Sequence, residues 1–168
     1  MKTKELVLTA FLGILILVSG YFKIPSPVGG AEFQMSAPIA VTIAMLFGFR
    51  TYILAGILAS ILAFSMGTIT VYGILIQFVF RLVVGLCIVI LGTRKVSLLI
   101  SGPLGSIAAR FAVSVVTQVP VLPLIISILP GLVITPLVAY ILYTKGYRMM
   151  KKTGFLEYVE TPWSKGLV

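Results

Sequence analysis

The chain has 168 residues, 60% of them hydrophobic and only 10% charged, whereas a soluble domain carries about 25% charge. The composition is that of an integral membrane protein with nothing left over for a soluble domain. With no His, no Asp and one Cys, a His-based triad and an internal disulfide are excluded, and no conventional metal centre or cofactor is expected. The net charge of +9 would point to nucleic acid in a soluble protein. Here the basic residues sit mostly in short loops and the tail, so membrane topology accounts for them and no nucleic-acid partner is expected.

A hydrocarbon core asks for about 20 apolar residues per helix, and six candidate spans follow in chain order. The first runs over Glu5–Phe22. Its start, Met1-Lys2-Thr3-Lys4 before an apolar stretch ending Val18-Ser19-Gly20, has the outline of a signal peptide but is read as the first helix. A Pro/Gly-rich loop, Ile24-Pro25-Ser26-Pro27-Val28-Gly29-Gly30, follows and holds Glu32 near its end. The second and third spans, Met35–Phe47 and Thr51–Met66, are short and separated by Gly48-Phe49-Arg50, which is turn chemistry. Small residues recur every four positions at Thr9 and Gly13, at Ser36, Ala40, Ala44 and Gly48, and at Ala55, Ala59, Ala63 and Gly67, forming seams for close helix packing.

The fourth span, Ile69–Leu91, carries Gly73, Gln77, Arg81 and Gly85 at intervals of four. Cys87 lies in its apolar run and reads as a small core hydrophobe. The fifth, Val96–Val119, carries Gly102, Ser106, Arg110, Ser114 and Gln118 at the same interval. Residues four apart share a helix face, so each helix has one small or polar stripe centred on an arginine. At 1.5 Å per residue, Arg81 lies about 1–2 Å inward of its span's centre and Arg110 about 3–4 Å outward. If the stripes face each other, the two charges converge. A charge at that depth costs at least about 2.5–3.5 kcal/mol, and two like charges repel, so a partner or ligand is expected. Glu32 is the one acid on that side and cannot neutralise both. One reading is structural, with each guanidinium bonded to loop or broken-helix carbonyls. The sharper reading is an anion site for a carboxylate or phosphate, with Gln77, Ser114, Thr117 and Gln118 bonding the rest of the ligand. The sixth span, Val121–Tyr143, holds Pro123, Pro130 and Pro136, which free backbone carbonyls, and Thr135 and Tyr140 are weaker lining candidates. The domain division is a membrane domain over 1–145 and a polar tail over 146–168, with Phe155, Leu156, Tyr158 and Trp163 suggesting an interfacial segment.

With the N-terminus inside, the inner side would hold Lys2, Lys4, Arg50, Arg94, Lys95, Lys145, Arg148, Lys151, Lys152 and Lys165, and the outer side Lys23 alone. The positive-inside rule then predicts cytoplasmic termini and an all-α bundle of six transmembrane helices in the cell membrane.

Six short spans, both termini inside, a Pro/Gly-rich first outer loop, the opening Met1-Lys2-Thr3-Lys4-Glu5-Leu6-Val7-Leu8-Thr9-Ala10, and Ser36-Ala37-Pro38-Ile39-Ala40 followed by Leu46-Phe47-Gly48-Phe49-Arg50 resemble the substrate-binding (S) component of energy-coupling factor vitamin transporters over about residues 1–150. The resemblance implies capture of a micronutrient from outside, between the first outer loop and the later helices. It further implies docking on a membrane coupling subunit with two cytoplasmic ATPases, and ATP hydrolysis in those partners alone. The family docks through Ala-x-x-x-Ala spacing in the first helix; the nearest match here, Thr9-x-x-x-Gly13, departs from it. Two other readings stay open. A structural scaffold would use the small seams for partners and need no pocket. A stand-alone secondary transporter would need an acidic residue in a span for ion coupling, and the spans offer none. An enzyme is disfavoured because no acid–base dyad is recognisable.

Overall fold

The computed structural model describes residues 3–25 and 32–154, the side chains of residues 24, 25, 32 and 33 excepted. Five helices and one hairpin make up this part: α1 (Thr3–Ser19), β1 (Lys23–Pro25), β2 (Glu32–Gln34), α2 (Ser36–Ser65), α3 (Val71–Leu91), α4 (Lys95–Thr117) and α5 (Val121–Thr153). Four of them, α2 to α5, are long and apolar enough to cross a membrane. At 17 residues, α1 is shorter than the about 20 that a hydrocarbon core asks for.

The expected six helices are therefore corrected to five, and the difference arises at Gly48. The second and third predicted spans are two limbs of α2, joined at Gly48 with φ 78° and ψ 173°. Glycine reaches that left-handed φ without the Cβ penalty other residues meet. Ala40 and Ala59 line one cavity, yet 19 residues of straight helix would set them about 28 Å apart. So α2 is bent back at Gly48 without an intervening loop. Its limbs form the centre of the bundle: Val41, Ala44, Met45, Tyr52 and Ala55 are all inaccessible.

The other ends follow local chemistry. Thr70 caps α3, its Oγ1 accepting from the Gly73 amide at 3.2 Å, as a threonine N-cap does. α4 stops at Gln118, which takes a left-handed φ of 57°, just before Pro120. α5 starts after that proline and runs to a left-handed Gly154, ten residues past the predicted end at Tyr143. Its 33 residues amount to about 50 Å, well beyond a hydrocarbon core of about 30 Å. Lys145, Arg148, Lys151 and Lys152 thus stand on the last turns of this helix. The tail positions Phe155, Leu156, Tyr158 and Trp163 lie outside the described residues.

The bundle has two unlike ends. The hairpin end gathers β1 and β2, paired antiparallel with Lys23 opposite Gln34, together with the C-terminus of α1 and the N-terminus of α3. The basic end gathers the bend of α2, where Phe49 lies against Gly85 and Leu46 against Gly146, and the start of α4, where Lys95 shares a hollow with Arg148 and Lys151 of α5. Phe11, Val89, Ile90, Val115, Leu122 and Val133 are exposed around the outside. An apolar belt of this kind is compatible with lipid, and the helices satisfy their own backbone within it.

Candidate functional site

A cavity of about 470 Å³ opens at the hairpin end, walled by the last turn of α1, the hairpin, both limbs of α2, and the facing sides of α3, α4 and α5. The volume lies in the range of small-molecule sites. Ile16, Leu17, Ile69, Ile76 and Ile128 give it apolar walls. Arg81, Arg110, Gln77, Ser106 and Thr135 bring polar atoms from α3, α4 and α5, while Lys23, Gln34 and Ser36 stand on the hairpin side.

The stripes identified on the fourth and fifth spans explain why the arginines meet here. Gly73, Gln77 and Arg81 of α3 and Ser106 and Arg110 of α4 all line the cavity. The two arginines are held differently. Arg81 is 7% exposed; its Nη1 donates to Ser60 Oγ at 2.5 Å and its Nη2 to Gln77 Oε1 at 2.9 Å. Ser60 Oγ in turn donates to Gln77 Oε1 at 2.7 Å, closing a three-membered network. Gly56 makes room for it, since a Cβ there would overlap Arg81 Nε and Cδ. Arg110 is half-buried on the cavity wall and has no hydrogen-bond or ion-pair partner among the described residues. No described carboxylate lines the cavity, so its interior is cationic and suited to an anion.

The remaining sequence candidates distribute as follows. Thr135 lines the cavity at 2% exposure, with its Cγ2 packed where Gly102 leaves space. Glu32 sits in β2, opposite Pro25, and its side chain lies outside the described residues. Ser114, Thr117 and Gln118 are not on the cavity wall. They belong to the frayed end of α4, where Ser114 Oγ donates to Val119 O, Thr117 Oγ1 to Val113 O and Gln118 Nε2 to Val115 O. The stripe of α4 thus divides: its deeper half faces the cavity, and its last turn spends its polar groups on closing the helix. Thr9 and Gly13, the docking candidates, pack inward against α2. Thr9 is buried, and Gly13 faces the Ala55 carbonyl and Leu58 of α2. Leu6, Val7, Phe11, Ile14, Leu15 and Val18 are the large apolar residues that α1 exposes.

The residues missed from sequence are Gly56 and Ser60. Their signal was available, because they stand four apart on a limb otherwise rich in Ile, Leu and Ala, the same interval that marked Gln77 and Arg81.

No family model matches the chain, and no solved structure is significantly similar to it. Protein BioX of Lysinibacillus sphaericus is 44% identical over 153 residues, an alignment covering 91% of this chain and 92% of the relative.

Proposed function

The chain belongs to the family of Protein BioX, and from that premise we propose that it is the substrate-capture subunit of a micronutrient importer, taking up a biotin-related carboxylate from outside the cell. The observation that carries the reading is the Arg110 guanidinium, without a partner among the described residues, on the wall of a 470 Å³ cavity with apolar sides. A buried guanidinium without a counter-ion is costly, and a carboxylate offers it a bidentate partner. The apolar walls suit the aliphatic body of such an acid. The kinship with Protein BioX supports a biotin-related acid as the ligand. The excess of Lys and Arg at the basic end supports orienting that end to the cytoplasm, so that the cavity opens outward. In this reading the chain itself carries out no chemistry; energy comes from a membrane coupling subunit and two cytoplasmic ATPases of the energy-coupling factor type.

Isothermal titration of the purified protein with biotin, with shorter and longer biotin-related carboxylates, and with their uncharged amides tests this. At least one acid is expected to bind, its amide to bind at least about tenfold more weakly, since hydrogen bonds to a charged group contribute about 1.5–3 kcal/mol, and Arg110→Gln to remove the difference. Equal binding of acid and amide, or no binding of any member of the panel, would overturn the reading.

A further inference from the structure

At the basic end, away from the cavity, a second hollow of about 370 Å³ lies between α4 and α5, lined by Lys95, Tyr140, Tyr143, Thr144, Tyr147, Arg148 and Lys151. The six residues from α5 fall at 140, 143, 144, 147, 148 and 151, which is a single helix face. Tyr143 and Tyr147 stack along it, with ring centroids 6.2 Å apart and planes at 17°. Lys95 comes from the first turn of the neighbouring helix, whose N-terminus adds its own partial positive charge. Three cations therefore converge on one hollow that no carboxylate among the described residues lines. None of the three has a hydrogen bond or ion pair among the described residues. Basic residues in the last turn of α5 alone would only balance its dipole; that account needs neither Lys95 from another helix nor a tyrosine wall.

We infer that this hollow binds the phosphate of an anionic phospholipid headgroup. Depth selects the lipid over a free anion. Tyr143 stands 22 residues along α5 from Val121, about 33 Å of helix, one hydrocarbon thickness from the other end. The tyrosines thus lie at the level where aromatic belts form, and Arg148 and Lys151 lie one to two turns further, among headgroups. Leu137 and Ile141, which precede Tyr143 on the membrane side, are exposed and give acyl chains an apolar flank. Basic pockets between helices on the cytoplasmic side hold anionic headgroups in this way. The inference stands apart from the proposed capture role, since the two sites share no residue.

The test is native mass spectrometry of the full chain carrying phosphatidylglycerol or phosphatidylcholine. The wild type is expected to retain phosphatidylglycerol about tenfold better. Lys95→Gln, Arg148→Gln and Lys151→Gln combined should abolish the preference, while Lys95→Arg with Lys151→Arg keeps it. The control combination Arg50→Gln, Lys145→Gln and Lys152→Gln removes the same charge from residues off the hollow and should also keep it. Equal loss in the control would mean diffuse surface attraction and overturn the site. Displacement of phosphatidylglycerol by an equal concentration of inorganic phosphate would make it a free-anion site and overturn the lipid assignment.

Discussion

Two guanidinium groups reach one cavity, and among the described residues only Arg81 finds partners, through its Nη1 and Nη2. Ser60 and Gln77 satisfy it at 2.5 and 2.9 Å, and Gly56 lets it lie flat against α2. Arg81 is thereby a tie between α2 and α3, and its contribution to any ligand is mainly its charge and the fixed position of Gln77. Substituting Gly56→Ala drives a methyl group into the guanidinium, and overpacking of this kind costs about 1–3 kcal/mol. The midpoint of thermal unfolding in detergent should fall accordingly. In an Arg81→Ala background the obstacle is gone, so the same glycine substitution should cost far less. Residues in direct contact are expected to couple in that way; additive effects would mean that Gly56 does not shape the Arg81 network. Arg110, whose donors meet no acceptor among the described residues, is the one that can answer a ligand.

At the scale of elements, α2 decides how the rest is arranged. Its two limbs put Ala40 and Ala59 on one cavity and bring Ser60 to Arg81. This follows from one residue in a left-handed conformation, Gly48 at φ 78°. A Cβ there costs about 1–2 kcal/mol, so Gly48→Ala should lower the unfolding midpoint, and Gly67→Ala makes the comparison, since it too has positive φ but lies in open space at a surface turn. Gly48→Ala is expected to weaken ligand binding as well, because it disturbs the limb angle, whereas Gly67→Ala should affect stability alone. The sequence marked Gly48-Phe49-Arg50 as a break through its turn chemistry, and the stripes around Arg81 and Arg110 through their four-residue interval. Those local signals placed the helix faces well. Composition could not tell a bend inside one helix from a loop between two, because both need the same permissive glycine. Nor could periodicity show that Ser114, Thr117 and Gln118 would turn to the backbone: a helix end competes for the polar side chains of its own last turn, and where α4 ends depends on the left-handed Gln118. The buried face of Thr9 and Gly13 was legible as a packing seam but not as to its partner, which proved to be α2 within the same chain.

For the molecule as a whole, the two ends do opposite things with positive charge. The basic end keeps its cations at the surface, where water and headgroups screen them, and they cost little. The cavity at the hairpin end holds Arg110 half out of water with no partner among the described residues, and a charge so placed costs the fold free energy when no ligand is bound. Replacing Arg110 with methionine keeps much of its volume and removes the charge. Removing an unpaired charge from a half-buried position removes its desolvation cost, so Arg110→Met should unfold at the same temperature as the wild type or higher. The order then reverses when ligand is added. A carboxylate that binds only the folded wild type at a concentration 100 times its Kd adds about 2.7 kcal/mol to stability, whereas Arg110→Met gains little, having lost the group that binds it. Thermal melts with and without the acid should therefore cross: the variant at least as stable when empty, the wild type more stable when loaded. A variant markedly less stable when empty would assign Arg110 to holding the bundle together. The crossing pattern is the signature of a charge placed at the expense of the fold for the sake of an anion, a trade common where function and stability compete.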